Sequence, residues 1–446
     1  MTRTSPLNRS TLLPLLVALG AAFSGTAQAQ SLVELFDAAK SFDATYQSAR
    51  SQAQATLAKG EQARAGLLPS VGLDASATQS SQDSSLSSQN GKSIGIQSAK
   101  ISAKQPLFNL ANTAVAEQGK KSAALAQFQL QAAEQDLIVR VSQAYFDVLA
   151  STDSLTTIRS LKAATAEQLA SAKRNFEVGT STIVDTRDAQ ARYDLVVAQE
   201  LAAENDLRVK SLALDQLVGK SGTAPKALRA PVQLPAVQPT DVGPWVEQSE
   251  ANSPAVQQAR IALEVAQLET QRAESGHKPT LDLIGSYGIT NNTGSTQFNS
   301  DYSTNVATVG LTFNLPLFAG YAIQNRVKET LALEDKARSD LEAAKRAVAQ
   351  GTRAAFFGVQ SGQSQVKAFE AAETSTQSAL DANKLGYQVG VKINIDVLNA
   401  QSQLFETKAK LAKARYDVLV GGLKLRQASG VLKSEDLQPI NAQLAQ

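Results

Sequence analysis

The chain repeats itself once, and this duplication limits what it can fold into more than any other feature. Gln47-Ser48-Ala49-Arg50 recurs as Gln257-Gln258-Ala259-Arg260, Pro69 as Pro279, and Pro106-Leu107-Phe108 as Pro316-Leu317-Phe318, each 210 residues on. Farther along the offset becomes 211: Phe176-Glu177-Val178-Gly179 matches Tyr387-Gln388-Val389-Gly390, Asp185 matches Asp396, Ala189-Gln190 matches Ala400-Gln401, and Gly219 matches Gly430. The fold must therefore be assembled from two copies of one plan. Between them lies Leu228–Pro244, with Pro231, Pro235, Pro239 and Pro244, which should be extended.

Within each copy the hydrophobic period changes twice. Ser31–Leu67 and Val242–Gly276 read as helix, with Asn252-Ser253-Pro254 fitting a capped start: Ser at the cap, Pro at the first helical position. Pro69 and Pro279 end the pattern, and the period drops to two. Val71, Leu73, Ala75 and Ala77 alternate with Gly72, Asp74, Ser76 and Thr78, while Leu281, Leu283, Tyr287 and Ile289 oppose Asp282, Ser286 and Thr290. Val309, Leu311 and Phe313 alternate with Thr308, Thr312 and Asn314, and more weakly Ala99, Ile101 and Ala103 alternate with Ser98, Lys100, Ser102 and Lys104. These predict four strands of roughly ten residues in two hairpins, with polar loops Gln79–Ser93 and Asn291–Thr304. Such strands fit a transmembrane β-barrel, or a soluble hairpin with one wet face. Four strands cannot close a barrel, and an open edge cannot sit in lipid, so membrane strands here require several chains to share one barrel.

After Pro106 and Pro316 the helical period returns, from Leu107 to about Phe176 and from Leu317 to about Tyr387. Leu137, Val141, Ala144, Val148, Ser151, Leu155, Ile158, Lys162, Thr165, Leu169, Ala172 and Phe176 fall at alternating spacings of four and three, a coiled-coil register broken only by Lys162. A helix of about 65 residues is about 100 Å long, too long to fold back into a globule. Each stretch ends at Val-Gly, and a second helix starts near Ile183 or Ile393 and runs to Gly219 or Gly430, as in a helical hairpin.

Composition excludes several functions. There is no cysteine, hence no disulfide, thiolate metal site or thiol catalysis. The single histidine, His277, precedes Pro279 where helix gives way to strand, and is expected to be structural or solvated; no metal or cofactor is expected. Lys plus Arg number 43 against 41 Asp plus Glu, a net charge of +2 that gives no reason to expect nucleic acid. Aromatics at 5% and abundant Ala, Gln, Ser and Leu suit long helices packed through small side chains. Arg3 and Arg9, the apolar run Thr11–Phe23 and Ala27-Gln28-Ala29 form a secretory signal over residues 1–29, too short to span a bilayer and followed by no cysteine for lipid attachment. No phosphate loop, metal cluster or nucleophile motif is present, so no enzyme activity is expected and energy must come from partners. The expected divisions are 1–29 signal peptide, 30–227 first repeat, 228–244 link, 245–430 second repeat and 431–446 tail. Tyr287, Phe298, Tyr302, Phe108 and Phe318, near strand ends or loops, are candidates for interfacial aromatic belts, and Trp245 for anchoring a helix start.

The hairpin tips carry a resemblance. Gly386-Tyr387-Gln388-Val389-Gly390-Val391-Lys392-Ile393-Asn394-Ile395-Asp396-Val397-Leu398-Asn399-Ala400, with its first-half partner from Phe176 to Asp194, resembles the TolC family of outer-membrane efflux and secretion proteins; the likeness extends from about Ser31 to Leu432. That resemblance implies a homotrimer with a shared twelve-stranded barrel in the outer membrane and an α-helical tunnel crossing the periplasm. It also implies docking to a periplasmic adaptor and to an inner-membrane ABC or proton-driven transporter, with proteins or small molecules as cargo. In the family, acidic side chains line the narrow entrance at the positions of Asp396 and Asn399; here only Asp396 matches. Polar links that hold the entrance shut map to Gln168, Asp185, Tyr387 and Lys392, paired as Asp185 with Tyr387 and Gln168 with Lys392. Gly179 and Gly390 map to tips where an adaptor docks. The competing readings are a helical filament protein, disfavoured by the signal peptide and strand pairs, and a periplasmic coiled-coil adaptor, which would have one hairpin rather than two.

Overall fold

The computed structural model describes residues 29–82, 92–229, 231–294 and 300–445. The expected signal peptide (save Ala29), most of the first strand loop, and Phe298 in the second lie outside them.

The element order is helix, helix, strand, strand, long helix, helix, stated twice. It runs α1 Leu32–Phe42, α2 Ala44–Arg64, β1 Ser70–Gln82, β2 Lys92–Phe108, α3 Leu110–Glu177 and α4 Ile183–Val218. The second round is α5 Val242–Asn252, α6 Pro254–Glu274, β3 Thr280–Thr293, β4 Tyr302–Asn314, α7 Ala322–Gln388 and α8 Asn394–Ala428, before a four-residue α9 Gln438–Asn441. The chain forms two compact units, Met1–Gln47 with Ala133–Ser249 and Ala349–Gln446, and Ser48–Ala132 with Glu250–Val348. Each unit draws on both sequence repeats. The helices α3, 68 residues, and α7, 67 residues, run unbroken from one unit into the other. No helix among the described residues is long and apolar enough to cross a membrane.

Each opening helical stretch is divided, the second at the capped start expected at Ser253-Pro254 and the first at a break the residue pattern did not show. Asp43 interrupts the first: its backbone leaves the helical region and its carboxylate accepts from the Tyr46 N–H at 2.8 Å, capping α2. Ser253 divides the second, followed by Pro254 at the first position of α6, but its hydroxyl makes no capping hydrogen bond. Proline's preset φ is enough to start the helix there.

The unit containing 48–132 and 250–348 is built around one antiparallel sheet in the order β1-β2-β3-β4. The strands are 13, 17, 14 and 13 residues, longer than the ten expected. Ser, Thr and Gln runs carry the pairing onward into the expected loops, as in Ser80 opposite Ile94, since backbone ladders need no apolar face. β2 also runs through Pro106, with a register shift between Pro106 and Phe108 that accommodates the missing N–H. The following helix therefore begins at Leu110, not Leu107, with Asn109 accepting from the Asn112 N–H at 3.1 Å. In the second repeat Gly320 and Tyr321 turn the chain with positive φ, delaying α7 to Ala322.

The register puts the predicted apolar residues on one face: Leu73, Ile101, Tyr287 and Ala307 form one row across the sheet, Val71, Ala103, Gly285 and Val309 the next. Nothing among the described residues covers this face; Val309 is 82% exposed and Leu73 74%. The opposite face is polar, with Ser76 hydrogen-bonded to Ser98 at 2.8 Å and Lys104 paired with Asp282 at 2.8 Å. In the same unit α2 and α3 approach closely, the Gly60 carbonyl oxygen lying 2.8 Å from where a Cβ on Gly119 would stand.

The other unit is packed like a conventional core. Leu137, Val141, Val148, Leu155, Leu169 and Ala172 of the predicted seam are buried, and so are Ser151 and Thr165. The two seam positions least suited to a core find partners on α4: Ser151 donates to Asp206 at 2.7 Å, and the Lys162 ammonium reaches Glu200 at 2.5 Å. Tyr145, fully buried, donates to the Lys226 carbonyl at 2.7 Å, and burial pushes its phenol up. Phe146 stacks on Tyr416, whose hydroxyl donates to Asp153 at 2.6 Å. Trp245 is buried, its indole donating to the Pro239 carbonyl at 2.9 Å, which fastens the proline-rich link to the start of α5. The residues after 430 are also part of this core: Leu432, Leu437, Ile440 and Leu444 are buried, and the Ala445 N–H donates to Ala227 at 2.8 Å.

Asp43 joins the cap of α2 to α3 through a forked contact with Arg140, at 3.0 and 3.1 Å. The Arg140 guanidinium holds the Asp43 carboxyl below its usual value of 3.8. Asp43→Ala should lower stability by about 2 kcal/mol at pH 7, through the lost cap and the orphaned half of the guanidinium. The sign with pH follows from the depressed folded pKa: the contribution is fully present above the unfolded value and disappears as pH falls through the folded one. Denaturant titrations followed by circular dichroism in detergent should show wild type and variant separated at pH 7 and converging below about pH 4.

Candidate functional site at the helical tips

The α3–α4 and α7–α8 connections are the same turn built twice. Gly179 and Gly390 both have φ of +78°, the left-handed conformation that glycine adopts without a Cβ penalty. The Gly179 N–H donates to Phe176 at 3.0 Å and the Thr180 N–H to Asn175 at 2.8 Å; Gly390 donates to Tyr387 at 3.1 Å and Val391 to Gly386 at 2.8 Å. These are Schellman closures, and they satisfy the last carbonyls of each long helix. Beyond them Val178 is 72% exposed and Val391 79%, with Val389, Ile183, Val184 and Ile393 also exposed, so both tips end in apolar side chains facing outward.

The next helices start differently. At α4, Thr182 and Asp185 form a reciprocal capping box: the Asp185 carboxylate accepts from the Thr182 N–H at 3.0 Å and hydroxyl at 2.8 Å, and from the Ser181 hydroxyl at 2.8 Å. The Thr182 hydroxyl lowers the Asp185 carboxyl pKa, and the other donors add to it. At α8 the cap position holds Ile393, which has no acceptor. Asp396, at the place equivalent to Asp185, receives only a long contact from the Ile393 N–H and one from the Lys392 ammonium, each 3.5 Å. One carboxylate is committed to its own turn; the other is largely free.

The two hairpins meet behind their tips. Leu169, Ala172, Ala189 and Leu398 form a small buried cluster joined by Tyr193 and Ile395, drawing α3, α4 and α8 together. Polar contacts surround it, though not in the expected pairs. Gln168 hydrogen-bonds Asn394, not Lys392, because Asn394 is buried at the first position of α8 while the Lys392 chain turns forward to Asp396. The Tyr387 hydroxyl accepts from Asn175 at 3.0 Å and makes no contact with Asp185, whose Oδ2 accepts from Ser181 and Thr182. Asn399 accepts from Arg192 of α4 at 2.7 Å. Asn175, Arg192 and Asn394 thus join the cluster without having been singled out in the sequence. Asn394 left one trace there, standing where the first repeat has Ile183.

Of the remaining candidates, His277 is exposed at the end of a short turn of 3-10 helix before β3. Phe108, Phe318 and Tyr287 are exposed at 44%, 73% and 48%. No cluster of His, Cys, Asp or Glu that could hold a metal ion occurs among the described residues.

Comparison with known proteins matches residues 35–220 and 245–431 to a family described as outer membrane efflux protein. The chain is 34% identical over 437 residues to the outer membrane protein TolC of Vibrio cholerae, covering 97% of this chain and 98% of that one. It is 29% identical over 346 residues to the alkaline protease secretion protein AprF of Pseudomonas aeruginosa, covering 77% and 71%. In fold it is similar to the solved structure of the outer membrane protein VceC of Vibrio cholerae, with a TM-score of 0.75, 19% identity, and 90% and 96% of the two chains covered.

Asp185→Ala removes the α4 capping box and should cost about 1 kcal/mol locally. Amide hydrogen exchange over residues 182–186 should quicken by about fivefold, the factor corresponding to that energy. Asp396→Ala, which removes no comparable cap, should leave exchange over residues 393–397 nearly unchanged.

Proposed function

We propose, since this chain belongs to the outer membrane efflux protein family, that three copies assemble into one duct through which an inner-membrane transporter discharges its cargo. The protein is an outer-membrane channel for efflux and type I secretion. The filament and adaptor alternatives fall with that membership.

The sheet carries the trimer proposal. β1 and β4 are its two edges, and among the described residues no further strand pairs with the row of backbone N–H and C=O groups on either. One face is apolar and bare, the other polar and charged. In hydrocarbon such a sheet is stable only if β4 of one copy pairs with β1 of the next and the ring closes. Three copies give twelve strands, above the minimum of about eight. The bare face then meets lipid, with Phe108, Phe318 and Tyr287 in the aromatic belts, while Tyr302, in register with Asn292, falls on the Lys104–Asp282 face that lines the lumen. The helices α3, α4, α7 and α8 of three copies make the periplasmic tunnel.

The tips form its entrance. Asp396 contributes three carboxylates to a ring, with Asn399 one turn farther along. Gln168 with Asn394, and Tyr387 with Asn175, hold the hairpins in the closed arrangement, while Asp185 and Lys392 brace the turns beside them. The exposed apolar tips around Gly179 and Gly390 receive a periplasmic adaptor, which couples the duct to an ABC or proton-driven transporter. Supporting the entrance assignment is the contrast between Asp185, used by its own turn, and Asp396, left available.

Purified protein in a planar bilayer should give discrete conductance steps. Asp396→Ala should lower the cation-over-anion permeability ratio by about twofold at 0.1 M salt, the screened effect of three charges lost about 10 Å from the ion path. An unchanged ratio removes Asp396 from the entrance; no conductance from folded trimers sinks the duct itself.

A further inference from the structure

We infer that Arg192 sets the ion preference of this entrance, leaving it nearly neutral and tolerant of anions where two acidic rings would select cations. The inference rests on the tips being the pore entrance. Its observation is the contact between Arg192 of α4 and Asn399 of α8, in which the guanidinium donates to the amide oxygen at 2.7 Å. An amide accepts that hydrogen bond but returns no charge. A carboxylate at position 399 would have formed a charge-assisted pair and neutralised the cation.

No other partner neutralises Arg192. Among the described residues it makes no ion pair, and the acidic groups around it are engaged elsewhere or stand off. Glu406, which lines the same groove between α3, α4 and α8 (volume about 350 Å³), pairs with Lys410 at 2.7 Å. Glu200, two turns along α4, is taken by Lys162 and Arg159. Asp194 accepts from Gln190 at 2.8 Å, and Asp188 lies one turn back with no contact to Arg192. Asp185 is held by its cap. Asp396, about 4.5 Å along the helix axis from Asn399, is itself approached by Lys392. Asn399 is exposed and Arg192 is half-buried, its side chain lining the same groove as Glu406. In a trimer the three Asp396 carboxylates are therefore opposed, within one helical turn, by three uncompensated guanidinium groups.

Reversal potentials in a KCl gradient test this directly. The wild-type potassium-to-chloride permeability ratio should lie near one. Arg192→Gln removes the cation and Asn399→Asp pairs it; each should raise the ratio by about twofold at 0.1 M salt. Arg192→Lys keeps the charge and should leave the ratio at the wild-type value, which a merely structural role for the guanidinium fork would not predict. Each variant is first checked for wild-type oligomer size and helical content, and Asn399→Asp supplies the answer if Arg192→Gln does not fold. If Asp396→Ala shifts the ratio while Arg192→Gln and Asn399→Asp do not, the role of Arg192 is overturned and the entrance stands. If none of the three shifts it, the entrance assignment falls and this inference with it.

Discussion

A β-sheet with one bare apolar face and two unpaired edges cannot be a finished object, and the rest of this protein follows from that incompleteness. Each uncapped backbone group costs several kcal/mol in hydrocarbon, so lipid tolerates only closed ladders. In the proposed trimer β1 through β4 would supply a third of a ring, and the polar face with its Lys104–Asp282 pair is suited to water inside it. The strands outrun the apolar alternation because closure depends on the backbone, and Ser- and Thr-rich segments such as Ser76–Ser81 pair as well as apolar ones. The same requirement explains the duplication: two hairpins, each too small to be stable alone, become one four-stranded element only when both repeats are present.

The helical part meets a different demand, which is length without a wide core. Seam residues such as Leu137, Val141 and Leu155 are buried, each contributing roughly 2 kcal/mol by area. Where the seam admits polar residues, α4 provides their partners, Asp206 for Ser151 and Glu200 for Lys162. Lone buried polar groups would destabilise the helical packing, whereas paired ones fix which helix lies against which. The chain ends serve the same purpose: Gln30 bridges to Pro225 and Leu228 to Leu444, so the link between repeats is held by backbone pairing on both sides.

The residue sequence revealed the plan of the fold more fully than its joints. Periodicity located every strand and long helix, because alternation by two and the four-three spacing each report directly on which face is buried. The break at Asp43 went unread, although a helix-capping Asp is a local signal; its second partner, Arg140, lies 97 positions away, and no local pattern encodes that contact. Strand β2 overran Pro106 because a bulge, a feature of the pairing and not of one strand, absorbs the missing donor. At the tips the positions were legible and the partners were not. Gln168 and Tyr387 stand where expected, yet they meet Asn394 and Asn175, choices made by side-chain reach within a packed cluster.

The tips also show how one turn can serve two ends after duplication. Gly179 and Gly390 share a φ of +78°, and the closures around them use equivalent donors. The helices that follow differ at a single kind of position. Thr182 gives α4 an acceptor and binds Asp185 into the cap; Ile393 gives α8 none, so Asp396 keeps most of its hydrogen-bonding capacity. Losing a cap costs α8 about 1 kcal/mol, which the buried Val397, Leu398 and Leu404 offset several times over. A carboxylate freed from its own turn is one that can act on something else. Stability supplied by apolar packing behind the tip is what permits a carboxylate to be left without a cap of its own at the end of a helical hairpin.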